Sequence, residues 1–133
     1  MISDQIGDLL TRIRNAIKVR HLECLVSFSK MNENILKVMK ENGYILNYQK
    51  TTDESKFKKP SLKINLKYKN KISVIEGTKR ISKPGLRIYQ KSSNLPVVLS
   101  KIGVAIISTS HGVMTCSQAK SKKLGGEILA YIW

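Results

Sequence analysis

Apolar residues at Ile6, Leu9, Leu10, Ile13, Ala16 and Ile17 fall at the spacing of a helix with one buried stripe. Ser3 is the expected N-cap, and Asp4 and Asp8 suit the positive end of the helix dipole. Arg12, Arg14, Lys18 and Arg20 gather toward the other end. A short strand is expected over residues 25–28. Ile35, Val38 and Met39 predict a second helix over residues 31–42, stopped by Gly43. Residues 44–48 form a candidate strand, and the polar stretch from Gln49 to Pro60 reads as a hairpin loop. Leu62, Ile64, Leu66 and Tyr68 then alternate with Lys63, Asn65, Lys67 and Lys69. Alternation with a period of two predicts a half-buried strand with a basic outer face.

The pattern changes near Asn70, where Gly, Ser and branched apolar residues become more frequent, and a lobe boundary is placed there. Strands are expected over residues 72–81 and 86–89, joined by a turn at Ser82, Lys83, Pro84 and Gly85. Residues 94–101 read as a short helix, with Pro96 in its first turn and Gly103 after its end. A buried strand over 104–108 precedes a helix over 115–124, capped by Thr115 and stopped by Gly125 and Gly126. Residues 127–133 close the chain as a last strand. The expected fold class is α+β with two small lobes. One is an N-terminal α/β lobe at residues 1–70, and the other a mostly β C-terminal lobe at residues 71–133.

Charge narrows the function. The chain has 24 Lys and Arg against 9 Asp and Glu, a net charge of +15. Such a protein repels itself and is drawn to polyanions. Residues 1–70 carry 14 basic and 7 acidic side chains, and residues 71–133 carry 10 and 2, so both lobes are expected to face the polyanion. No apolar run reaches the ~18 residues of a membrane span. The N-terminus lacks an apolar signal core, and Asp4 and Asp8 argue against an organellar import peptide. Cys24 and Cys116 sit in no metal-ligand spacing and fit a reducing compartment. The expectation is a chain that works where it is made, with no membrane, cofactor or metal. Abundant Lys, Ile, Asn and Ser point to an AT-rich genome such as that of an organelle.

Three segments combine small, hydroxylic and basic residues. In Ser108, Thr109, Ser110, His111, Gly112, Val113 and Met114, hydroxyls on a tight loop can reach phosphates, ribose hydroxyls and base edges. An ordinary strand-to-helix turn accounts for the same residues. In Arg80 to Tyr89, three basic residues, a rigid turn and an aromatic ring suit a phosphate clamp with a stacking platform. A Pro-Gly hairpin with a solvated basic face, and Tyr89 half in the core, accounts for it equally. Gly125 and Gly126 read as a helix C-cap, and Glu127 is the only carboxylate after Glu76. Near a phosphate backbone Glu127 is repelled unless it orients a neighbouring base, arginine or hydroxyl.

Ser108, Ser110, His111 and Cys116 offer the residue types of a nucleophile with its base. The strained Gly-x-Ser-x-Gly turn is missing, and Glu127 is the one acid nearby in sequence. No phosphate-binding glycine loop, dinucleotide fingerprint or metal cluster occurs. His21 reads as a solvated loop residue, and Lys56, Lys58 and Lys59 as a loop charge run. No enzyme is expected.

Ser108 to Met114, followed by Ala119 and then Gly125-Gly126-Glu127-Ile128-Leu129, closely resembles the C-terminal signature of the ribosomal protein S8 family. Arg80 to Tyr89 resembles its central motif, and Asp8 to Ala16 its first helix. The motifs fall in the family's order over essentially the whole length. The ending Glu127 to Trp133 is similar to plastid members, which with the composition implies a plastid ribosome, with a bacterial cytoplasm as the alternative. The resemblance implies a primary binder of a helix in the central domain of small-subunit rRNA that helps the domain fold. It implies neighbouring ribosomal proteins, S5 among them, and no small-molecule substrate. The rRNA contact would fall on Ser108, Thr109 and Ser110, with Gly112, Gly125 and Gly126 shaping that surface and Glu127 organising it. Thr11, Arg14, Asn15 and Lys30 are implicated from the first lobe, and Lys83, Arg87 and Tyr89 from the central motif. Two positions depart from the pattern. His111 stands where many members carry Lys or Arg, and Cys116 where many carry Asp. A regulator acting on an mRNA outside the ribosome is the rival reading, and co-sedimentation with small subunits separates the two.

Overall fold

The computed structural model describes residues 4–52, 60–95 and 103–133. Four expectations fall outside or across those limits: the Ser3 cap, the Lys56, Lys58 and Lys59 run, the middle of the 49–60 loop, and the helix over 94–101 beyond Leu95. The chain forms two compact units, Met1–Ile75 and Glu76–Trp133.

In the first unit, α1 (Gln5–Lys18) is capped by Asp4, whose carboxylate accepts from the Gly7 N–H at 3.1 Å. Strand β1 (Glu23–Ser27) follows, then α2 (Lys30–Glu41), capped by Ser29. Gly43 leaves α2 at φ +78°, a conformation that side chains resist. Strand β2 (Ile45–Thr52) continues four residues, Gln49 to Thr52, into the stretch read as loop. Its antiparallel partner is β3 (Pro60–Leu66), which lies between β1 and β2. The alternation at Leu62, Ile64 and Leu66 is buried as the pattern requires. Leu9, Ile13, Ile35, Leu36 and Met39 on the two helices complete this core. A tight hairpin, β4 (Tyr68–Lys69) and β5 (Ile72–Ser73), ends the unit.

The continuous strand expected over 72–81 is broken. Its first part turns back on β4, and its last part, β6 (Thr78–Arg80), joins the second unit. Between them Glu76 and Gly77 both donate their backbone N–H to the Trp133 carbonyl, at 2.7 and 3.1 Å. The Trp133 ring lies where a Gly77 side chain would be, so the closing strand takes the place of a continued ladder.

The second unit has β6, β7 (Tyr89–Gln90), β8 (Val104–Thr109), β9 (Gly112–Thr115), α3 (Cys116–Ser121) and β10 (Gly126–Ile132). The sheet runs β6, β10, β8, β9, with β7 also paired to β10. The strand expected over 86–89 is replaced by a bridge between Lys83 and Leu86 and by the short β7. Ser92–Asn94 form one 3-10 turn, which meets the expected helix only at Asn94. Leu95, Ala105, Ile107, Met114, Cys116, Ala119 and Ile128 make the core of this unit. Among the described residues no helix is long and apolar enough to cross a membrane.

Candidate nucleic-acid interface

The segment Ser108 to Met114 is a β-hairpin rather than a loop. Strand β8 runs through Thr109, β9 begins at Gly112, and Ser110 and His111 form a two-residue turn between them. Gly112 takes φ +116°, which lets so short a turn close. The Thr109 hydroxyl donates to the Gly112 carbonyl at 2.8 Å and accepts the His111 N–H at 3.1 Å. Thr109 thus spends its hydroxyl on the turn. The Ser108 and Ser110 hydroxyls make no such bond to a described residue. Ser110, His111 and Gly112 are exposed, and Ser108 is half-buried. The three hydroxyls expected to act together therefore divide into one that builds the tip and two that remain available.

Gly125 and Gly126 do not cap α3. The helix ends at Ser121, and Lys123, at φ +57°, reverses the chain so that Leu124 N–H reaches the Ala119 carbonyl at 2.8 Å. The glycines are needed for close approach instead. A Cβ on Gly126 would lie 2.1 Å from the Ser108 carbonyl oxygen, and one on Gly125 would lie 2.6 Å from that of Gln90. Two consecutive residues without side chains let β10 start wedged between the β8 end and the β7 segment. An open depression lined by Tyr89, Gln90, Lys91, Ser92, Gly125 and Gly126 results.

Register then joins motifs that are far apart in sequence. Glu127 pairs with Tyr89 on one side and Ser108 on the other, and Ser108 pairs with Val113. Directly opposed residues point to the same face of an antiparallel sheet. Tyr89, Glu127, Ser108 and Val113 therefore form one row, with Tyr89 66% exposed. The Glu127 carboxylate accepts from the Ser82 hydroxyl and from the Arg87 guanidinium, the latter at 3.0 Å. Ser82 is fully buried and accepts the Ile88 N–H at 3.2 Å. This network ties the central motif to β10. It also explains a lone carboxylate in a cationic surface, since Glu127 neutralises Arg87 and anchors Ser82. Ser82 was not among the expected site residues. A serine in a Lys-Pro-Gly turn carries no local sign of burial, and its partner lies 45 positions away. Lys83, across its bridge from Leu86, is exposed and makes no ion pair with a described residue.

Thr11, Arg14 and Asn15 share the exposed face of α1, and Lys30 opens α2 with an exposed ion pair to Glu33 at 3.4 Å. These four belong to the first unit and are not part of the row on the second. His111 is exposed in the turn, and Cys116 is buried at the start of α3. Burial pushes the Cys116 thiol up to about 11, which opposes thiolate chemistry.

A cationic α+β chain that presents polar groups at the tip of a sheet has the charge to attract a polyanion. The family model described as ribosomal protein S8 matches residues 4–133. The small ribosomal subunit protein uS8 of Mycoplasma mobile is 49% identical over 133 residues, covering 100% of this chain and 98% of that one. That of Lacticaseibacillus casei is 50% identical over 134 residues, covering 100% and 99%. That of Corynebacterium diphtheriae is 48% identical over 133 residues, covering 99% and 98%. The chain belongs to the ribosomal protein S8 family, a family of ribosomal constituents and not of enzymes.

Proposed function

We propose that the chain is a structural constituent of the small ribosomal subunit. It binds small-subunit rRNA in an irregular helix of the central domain and aids subunit assembly. The observation that carries the reading is the row Tyr89, Glu127, Ser108 on one sheet face, beside the exposed Ser110 tip. A regular RNA helix hides its bases in a narrow major groove, so hydroxyls that both donate and accept suit a distorted site with exposed base edges and ribose. Ser108 and Ser110 read that site, Thr109 and Gly112 hold the tip, and Gly125, Gly126 and Glu127 hold its base. Tyr89 offers a stacking face and Lys83 meets phosphates, while Arg87, paired with Glu127, supports the base of the tip. In this reading the main contact belongs to the C-terminal lobe, residues 71–133. The lobe of residues 1–70 adds Thr11, Arg14, Asn15 and Lys30.

The protein neighbours we propose include S5. The ribosome is of bacterial type. The lysine- and isoleucine-rich composition and the ending Glu127 to Trp133 favour a plastid, and the relatives compared are bacterial. Location of the gene on a bacterial chromosome would remove the plastid part.

The test is binding of the purified chain to small-subunit rRNA and to an unrelated hairpin of equal length. Ser110→Ala is expected to lose about 1 to 3 kcal/mol on the rRNA and little on the hairpin. Lys83→Ala is expected to weaken both alike and flatten their salt dependence. Equal losses on both RNAs in Ser110→Ala would remove the tip as reader.

A further inference from the structure

The turn leaving α1 and the β4–β5 hairpin are fastened together. The Tyr68 hydroxyl donates to the His21 carbonyl at 2.6 Å, and the Leu66 N–H donates to the Leu22 carbonyl at 2.9 Å. Arg20 is near enough to act electrostatically on the Tyr68 phenol. Residues 18–22 and 67–72 together carry Lys18, Arg20, Lys67, Lys69 and Lys71, with no acidic residue. None of these five makes an ion pair with a described residue, and Lys18, Arg20, Lys69 and Lys71 are exposed.

Two of them stand where the backbone disfavours them. Arg20 has φ +60° and Lys71 has φ +66°. Glycine enters that region freely, and long side chains do not. A helix dipole accounts for cations at Lys18 and Arg20, which close α1. It does not account for Lys71, which sits in the turn of a two-stranded hairpin. The corner therefore holds unneutralised cations against both their mutual repulsion and local conformational preference.

We infer that this corner is a second RNA contact, taking the phosphate backbone through Arg20, Lys69 and Lys71. The inference rests on the RNA reading above and extends it to a surface that none of the expected site residues occupies. A phosphate chain fits better than an acidic protein, because lysine is a point-charge phosphate binder and is depleted from protein–protein interface cores.

Arg20→Gly and Lys71→Gly test it, singly and combined, because glycine relieves the backbone while removing the charge. The variants are expected to keep or raise the melting temperature of the free chain. On small-subunit rRNA their log-affinity against log-salt slope should become shallower by about 0.7 to 0.9 for each cation removed. A double variant with the wild-type slope, in a chain that still prefers its rRNA over an unrelated hairpin, overturns the corner and leaves the hairpin reading intact. A wild-type chain without that preference overturns the reading beneath both. Weaker incorporation into subunits with an unchanged slope on naked rRNA also overturns the corner, in favour of an acidic protein surface.

Discussion

At the scale of single residues, three glycines are required, or not, for different physical reasons. Gly126 has no room, since its Cβ would meet the Ser108 carbonyl oxygen at 2.1 Å and backbone cannot step aside. Gly112 has open space around it but a φ of +116°. Gly85 has open space and no such angle. Gly126→Ala is therefore expected to cost about 2 to 3 kcal/mol, and Gly112→Ala about 1 to 3 kcal/mol. Gly85→Ala should gain about 0.4 to 1 kcal/mol through the unfolded chain. Urea denaturation of the three variants checks the order, and a neutral Gly126→Ala would refute the close approach. Cys116 carries a second prediction. Its thiol is pushed up to about 11 by burial, against 9.0 for the ordinary group. Above pH 9 the unfolded chain loses this proton first, so stability present below that pH is lost as pH rises toward 11. The loss is on the order of 2 kcal/mol, and burial raises Cys24 in the same direction. Denaturation midpoints at pH 8 and pH 10.5 measure it, and Cys116→Ala should flatten the difference.

At the scale of elements, α3 shows how little sequence a short helix needs when its ends are fixed. Six residues are far below the length at which a helix holds itself together in water. The Thr115 hydroxyl accepts the Gln118 N–H at 3.2 Å, and the Gln118 side chain accepts the Thr115 N–H at 3.1 Å. Buried Cys116 and Ala119 supply the packing. Thr115→Ala is expected to cost about 1 kcal/mol. Amide exchange at Lys122, Lys123 and Leu124, which bond back into this helix, should speed up more than in β10. The Thr115 cap was legible because it depends on neighbours three residues apart. So were α1 and α2, whose apolar stripes follow one period, and the alternation in β3. What was not legible depends on partners far along the chain. Gly126 answers to Ser108, Gly125 to Gln90, Ser82 to Glu127, and the break after Ser73 to the Trp133 carbonyl. Sequence marked the glycine pair correctly as special but assigned it to the helix end, which Lys123 serves. It also merged hairpin and loop at Ser110, because a two-residue turn between strands of unequal polarity shows no strand period.

At the scale of the whole molecule, the net charge of +15 is a cost that binding removes. Among the described residues, four ion pairs join Arg12 to Asp8, Lys30 to Glu33, Lys63 to Glu23 and Arg87 to Glu127. Exposed pairs of this kind contribute about 0 to 1 kcal/mol each, so they leave most of the repulsion in place. Salt must then act with opposite signs on two measurements. Raising ionic strength from about 10 mM to 150 mM shortens the Debye length from roughly 30 Å to 8 Å and screens the cations from one another. The melting temperature of the free chain should rise, by about 2 to 8 °C for each kcal/mol of repulsion screened. Over the same range affinity for RNA should fall, because each counterion released into more concentrated salt gains less free energy. Trp133, the single tryptophan, stacks on Gly77 and reports unfolding of the second unit by fluorescence. A melting temperature that stays flat or drops with salt would mean that the cations are already balanced within the fold. Their excess would then be no driving force for RNA.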